Sequence, residues 1–191
     1  MRKDRPITMF QTPLPLKSVQ APAKNGSKKT LDELKYLQKL ALKSTDEKRE
    51  QARAFEQMSL VDHFIKYAGE NGLMYDEQHL RDVAKDVETF GLLMKTYYNR
   101  PRPYQIGMLA NMPINPVTMA RSSSFPCEKT MIANVLANQL IHNNPSKKDV
   151  LQGMAKEVEL SRYYGGLNYP SDTIEAIRIA DIIGGKIKYL E

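Results

Sequence analysis

Cationic side chains occur in this sequence where predicted helices meet loops. Lys95 ends one helical run, and Arg102 follows it in the proline-stiffened segment "NRPRPYQ". Arg162 ends another helical run, just before the turn in "SRYYGGLNYPSD". Two guanidinium groups and one ammonium group are donors that proteins use to hold a phosphate-like anion. The three residues therefore predict an anion-binding site.

The stretch "SSSFPCEKT" adds the start of a helix to this set. Cys127, Glu128 and Lys129 occupy this start, where backbone N–H groups without helical partners favour a negative ligand. Cys127 is also a candidate nucleophile, because a thiol at a helix N-terminus beside cations can have a lowered pKa. Glu128 works against the thiolate, and the alternative is a small, half-buried structural residue.

The order and spacing of these stretches resemble a three-part signature. It belongs to the superfamily that includes class A acid phosphatases, type 2 phosphatidic-acid phosphatases and vanadium haloperoxidases, and it reads KxxxxxxRP, PSGH and SRxxxxxHxxxD. Lys95 and Arg102 match the first part, and Arg162 and Asp172 match the third. The middle part is present only as Pro126. The resemblance covers residues 76–183 and implies that the cationic residues cradle phosphate.

The sequence departs from this signature at the positions that carry the chemistry. Asn168 stands where the family has the histidine that attacks phosphorus, and Lys129 replaces the histidine that protonates the leaving oxygen. An amide has no basic lone pair near neutral pH, and an ordinary lysine, with a pKa of about 10.4, is a poor acid for that step. Glu128 replaces a glycine, whereas Asp172, which orients the nucleophile in the family, is retained. The resemblance thus implies an altered site, for which we expect no metal and no cofactor.

The retained residues also have structural interpretations. Asp172, with Glu175 three residues later, fits the start of a helix as an N-cap aspartate. The cations could equally hold the helices together in a salt-bridge network with nearby carboxylates. That network would comprise Lys95, Arg102, Arg162, Glu128 and Asp172.

The hydrophobic pattern predicts an all-α bundle of about six helices over residues 30–191. The six predicted helices begin near Thr30, Ser44, Asp76, Glu128, Ser146 and Asp172. The second is predicted to reach Tyr67 and the third Tyr98. Five prolines mark residues 99–126 as a long loop, and loops of this length in compact domains are usually functional or disordered. The candidate residues lie at the ends of these elements.

Residues 1–29 differ from the rest of the chain. They carry seven basic side chains against one acidic, whereas the remaining 162 residues carry 21 of each. This basic, proline-rich stretch predicts an extended arm that packs away from its own bundle, on another protein subunit. A nucleic-acid partner is less favoured, because the body is neutral.

These observations predict a catalytically inactive phosphatase-like protein that serves as a structural or binding subunit of a larger assembly. The "NRPRPYQ" type of first motif is similar to that of phage-encoded members, which favours a bacteriophage virion component. The alternative is a soluble phosphatase that acts on phosphomonoesters with altered catalytic residues. No run of about 18 apolar residues and no secretory signal are present, so we expect a soluble protein, cytoplasmic or virion-associated, without a membrane partner.

Overall fold

The computed structural model describes residues 18–187, and all regular secondary structure within this range is helical, with no β-strand. The all-α prediction is therefore confirmed. The predicted arm lies outside the described residues as far as residue 17. A 3₁₀ turn at Pro145–Lys147 joins the sixth and seventh helices. The helices are α1 (Lys28–Leu42), α2 (Asp46–Gln57), α3 (Leu60–Glu70), α4 (Glu77–Tyr98), α5 (Pro103–Leu109), α6 (Glu128–Asn143), α7 (Lys148–Tyr164) and α8 (Pro170–Gly184).

The structure divides the chain more finely than the hydrophobic pattern does. The predicted second helix is two helices, because Met58 has extended backbone and the Ser59 hydroxyl accepts a hydrogen bond from the Asp62 N–H at 3.4 Å. A serine that bonds the backbone in this way starts a new helix. The predicted long loop contains α5, whose first residue is Pro103. Proline suits that position, since its missing N–H has no helical partner there.

Helices α1 and α2 are among those that begin at caps other than the predicted ones. Ser27 caps α1, since its hydroxyl accepts from the Thr30 N–H at 3.3 Å, while the Thr30 hydroxyl donates to the Lys24 carbonyl. Thr45 caps α2 by accepting from the Lys48 N–H at 3.3 Å. In both cases a second serine or threonine lies within three residues of the capping residue, and the sequence alone does not rank the two.

Helix α6 lies at the centre of the bundle. It packs against α3, α4, α7 and α8, and apolar residues on different sides of it contribute to two separate core clusters. Leu136 and Leu140 join the first cluster, and Met131 and Val135 the second. A helix buried on several sides has its terminus fixed by its neighbours. The first turn of α6, which begins at Glu128, is thereby held among the surrounding helices.

The described end of the arm lies on its own bundle. The Gln20 N–H donates to Glu175 Oε1 of α8 at 2.8 Å, and the Tyr98 hydroxyl donates to the Val19 carbonyl at 3.3 Å. Arg178 of α8 also donates to the Ser18 carbonyl. The prediction that the arm packs away from its own bundle is wrong for this segment, because these backbone groups find their partners on α4 and α8. For residues 1–17 it stays a prediction.

Replacing the caps of α2 tests where this helix begins. We expect Thr45→Ala to lower the free energy of unfolding by about 1 kcal/mol, because the Lys48 N–H loses its acceptor. Ser44→Ala, one residue earlier, should stay within about 0.5 kcal/mol of wild type. Urea unfolding followed by circular dichroism measures both. An equal or larger loss for Ser44→Ala would contradict the observed cap.

Candidate functional site

A cavity of about 70 Å³ lies at the start of α6. Its volume exceeds the roughly 10–15 Å³ that one water molecule requires. Glu56 and Ser122, which the sequence did not indicate, also line it, while Asp172 does not. The structure thus brings seven of the eight candidate residues to one place, and anion binding there stays a prediction. The seven are Lys95, Arg102, Cys127, Glu128, Lys129, Arg162 and Asn168.

The segment before α6 holds two of the cations. The Lys95 ammonium donates to the Ser123 carbonyl at 2.8 Å, and the Ser123 hydroxyl donates back to the Lys95 carbonyl at 2.7 Å. Arg102 Nε donates to the Ser122 carbonyl at 2.8 Å. Burial lowers the pKa of Lys95, with the Arg102 charge as the second cause, and burial also lowers the pKa of Arg102. A bound anion would favour the charged form of both groups.

Asn168 connects Arg102 to the back wall of the cavity. Its Oδ1 accepts from Arg102 Nη1 at 3.2 Å, and the same nitrogen donates to the Leu167 carbonyl at 2.8 Å. Asn168 Nδ2 donates to the Ser124 carbonyl at 2.6 Å and to Asp172 Oδ2 at 3.4 Å. The amide therefore faces a cation with its oxygen and two acceptors with its nitrogen. It presents no basic atom to the cavity.

A buried ionic cluster lies behind Asn168. Arg100, which is 2% exposed, donates to Asp172 Oδ1 at 2.5 Å and to Glu33 Oε2 at 3.1 Å. Glu33 Oε1 accepts from the Ser171 N–H at 2.6 Å. The Arg100 guanidinium also lies 3.8 Å from the centre of the Tyr169 ring. Sequence reasoning missed Arg100, although the "RPRP" segment contains two Arg-Pro pairs and the signature spacing selects only the second.

Asp172 is the third residue of α8 and not its N-cap. Its Oδ2 accepts from the Tyr169 N–H at 2.9 Å, as the acidic partner of a capping box does. Burial raises the pKa of Asp172, and the Arg100 guanidinium opposes that change. The predicted partner Glu175 bonds Gln20 and Arg178 instead. Hence Asp172 accepts hydrogen bonds from the backbone at the start of α8 and from the Asn168 side chain.

Arg162 has an acidic partner from a distant helix. Its Nη1 donates to Glu56 Oε2 of α2 at 2.5 Å, and its Nε donates to the Ser161 hydroxyl at 3.2 Å. The predicted salt-bridge network named Glu128 and Asp172 as the acids. Within residues 18–187, no salt bridge joins Glu128 to the three cations, and Asp172 pairs with a different arginine. Glu56 lies 106 residues before Arg162 and belongs to no recognised motif, so this pair could not be predicted from the sequence.

The first turn of α6 forms the remaining wall. Cys127 is buried, burial raises the pKa of its thiol, and the Thr130 hydroxyl donates to its sulfur at 3.2 Å. Burial also raises the pKa of Glu128, although the positive charge of Lys95 acts in the opposite direction. Burial lowers the pKa of Lys129. A thiol with a raised pKa forms little thiolate, so the environment of Cys127 does not favour a nucleophile.

The sequence matches no protein-family model and no curated protein. The structure is similar to the crystal structure of a transmembrane PAP2-type phosphatidylglycerolphosphate phosphatase from Bacillus subtilis, with a TM-score of 0.60. The match covers 87% of this chain and 91% of that one. The fold is that of a PAP2-type phosphatase. At 19% sequence identity the likeness concerns the fold and supports the resemblance found in the motifs.

This comparison corrects the predicted location. The prediction of a soluble protein, cytoplasmic or virion-associated, is wrong, because the structure that shares this helix arrangement is a transmembrane enzyme. The prediction rested on the length of apolar runs, which is a property of single helices and does not reflect how the helices are arranged. Within residues 18–187, no helix combines the length and hydrophobicity needed to cross a bilayer.

Removing Arg100 tests the ionic cluster behind Asn168. We expect Arg100→Leu to lower the free energy of unfolding by about 3–5 kcal/mol, because two buried carboxylates lose their shared cation. Arg81→Leu is the control, since Arg81 also contacts two carboxylates but at the surface, and its loss should be much smaller. Chemical unfolding of both variants provides the comparison. Similar losses of stability in the two variants would contradict the expectation that the buried contacts of Arg100 contribute more than the surface contacts of Arg81.

Proposed function

We propose that this chain binds a phosphate-like anion in the cavity at the start of α6 and does not transfer phosphoryl groups. The observation that carries the proposal is the environment of Asn168. Its oxygen faces Arg102 and its nitrogen faces the Ser124 carbonyl and Asp172. An amide held in this way stabilises the cavity wall and supplies no nucleophile.

The charges around the cavity support anion binding. Four cationic and two acidic side chains line it, so its lining carries a formal charge of +2. Lys95 and Arg102 are buried together, and burial lowers the pKa of each. Their positions are set by hydrogen bonds to the segment before α6, so little ordering remains to be done when a ligand arrives.

The remaining groups give little support to catalysis. Cys127 is buried, with a thiol pKa raised by that burial. General acid catalysis contributes roughly 10²–10⁴ in rate, and it requires a group with a pKa near the working pH. Without a nucleophile, an acid at Lys129 cannot complete the reaction of the resembled family.

The alternative is a phosphatase that acts on phosphomonoesters with altered catalytic residues. Two observations favour it: the fold shared with the Bacillus phosphatase, and the lowered pKa of Lys129, which makes this lysine a better proton donor than an exposed one. This alternative requires a nucleophile that the cavity does not display. Enzymatic assays distinguish the two functions.

We expect no hydrolysis of p-nitrophenyl phosphate above background from acidic to alkaline pH, because position 168 holds an amide. Isothermal titration with inorganic phosphate should show binding, weakened about ten- to hundredfold in Arg102→Ala by the loss of a charged donor. Arg53→Ala, at an exposed pair on α2, is the control and should bind like wild type. Turnover that disappears in Arg102→Ala or Cys127→Ser would favour the phosphatase instead.

We also propose that residues 1–17 contact another protein subunit, so that the chain acts as a binding or structural component of an assembly. The basic composition of the arm supports a protein partner with an acidic surface, and the neutral body makes nucleic acid the less favoured partner.

Deleting residues 1–17 should leave the helical circular dichroism and melting temperature unchanged, while reducing the assembled mass measured by light scattering. Deleting residues 1–27 is the comparison and should lower the melting temperature, because it removes the Gln20 contact with Glu175. An unchanged mass after the shorter deletion would argue against this role of the arm.

A further inference from the structure

A carboxylate lines the cationic cavity, although a negative charge opposes anion binding. Glu56 of α2 reaches the cavity and pairs with Arg162 at 2.5 Å. Its charge also raises the pKa of Lys129 and Arg102, in both cases against the larger effect of burial. The Glu56 side chain is 27% exposed. Its carboxylate therefore belongs to the site and not to the outer surface of α2.

The Arg162 contact occupies one oxygen of this carboxylate. Oε2 accepts from Arg162, whereas Oε1 accepts no hydrogen bond from any group in residues 18–187. An ionised carboxylate is an acceptor only. A ligand oxygen beside Glu56 is therefore favoured if it carries a proton and is repelled if it does not.

Phosphate and sulfate differ in this respect, although both are tetrahedral and similar in size. A phosphomonoester has a second pKa of about 6 and inorganic phosphate a higher one, so near pH 6 much of either retains a P–OH donor. Sulfate has no proton to donate. A hydrogen bond from P–OH to a carboxylate is charge-assisted and strong, whereas sulfate would place unshielded negative charge against Glu56.

We propose that Glu56 is a specificity-determining residue that makes the cavity select a protonated oxyanion over a fully ionised one. This inference rests on the proposed anion-binding function. It concerns the P–OH group, which inorganic phosphate and phosphomonoesters share. In this arrangement the cations attract any oxyanion, and the Glu56 carboxylate favours an oxyanion that carries a proton.

Isothermal titration of the full-length protein at about pH 6 tests the proposal with matched salts, potassium phosphate and potassium sulfate. We expect wild type to bind phosphate at least about tenfold more tightly than sulfate. In Glu56→Gln the ratio of the two Kd values should fall to about one, mainly through tighter binding of sulfate. The amide keeps an oxygen for Arg162 and offers N–H donors to the ligand. Phenyl phosphate and phenyl sulfate form a second matched pair, which shows whether the ester is accepted with the same preference.

Three further variants separate Glu56 from general changes of charge. Glu50→Gln, on the exposed part of the same helix, should keep the wild-type ratio. Glu128→Gln removes the other carboxylate of the lining and should reduce the preference less than Glu56→Gln does. Glu56→Asp retains the charge and should still exclude sulfate, which decides the question if the glutamine variant does not fold.

The outcomes distinguish this inference from the function on which it rests. A wild-type protein that binds neither salt contradicts the anion-binding function and therefore also the proposed selectivity. Equal binding of both salts by wild type overturns the selectivity alone. A preference that survives in Glu56→Gln, or one that disappears in Glu128→Gln instead, also overturns the role of Glu56.

Discussion

The arrangement of the site depends on the buried contact of Arg100 with Glu33 and Asp172. One guanidinium pairs with carboxylates from α1 and α8, and each carboxylate also accepts a backbone N–H at the start of α8. Ionised carboxylates are tolerated in an interior when they are paired and hydrogen-bonded in this way. Asp172 in turn bonds Asn168, and Asn168 bonds Arg102. The position of Arg102 in the cavity thus depends on an ionic cluster whose own residues do not line the cavity.

The cavity combines several fixed positive charges with an amide at position 168 and a buried thiol at Cys127. Cations and the start of α6 line one cavity, while the two histidine positions of the resembled signature hold an amide and a lysine. These two properties are physically separable. Attraction of an anion needs fixed positive charge, whereas phosphoryl transfer also needs a nucleophile and a proton donor of suitable pKa. A scaffold can therefore keep the first property after losing the second.

The sequence predicted the features that depend on local order, and it missed those formed by distant segments. Motif spacing placed Lys95, Arg102 and Arg162 at one site, because each lies at or beside the end of a helix. Arg100 and Glu56 were missed because their partners lie 67 to 106 residues away in the chain. The break between α2 and α3 was missed because no proline or glycine lies between Ser44 and Tyr67 to mark it. The predicted location was wrong because it was inferred from the hydrophobicity of single helices. The similarity to a transmembrane enzyme lies in the arrangement of the helices.

The cavity is assembled from four separate segments of the chain: α2, the end of α4 with the residues after it, the start of α6 with the residues before it, and the end of α7 with the residues after it. These segments meet only in the folded state, so the unfolded chain has no comparable site. Any ligand of the cavity is then also a ligand of the native fold, and mass action couples the two equilibria. At a concentration one hundred times the Kd, such coupling adds about 2.7 kcal/mol to the free energy of unfolding. The supply of the anion would thereby raise the fraction of chains that are folded.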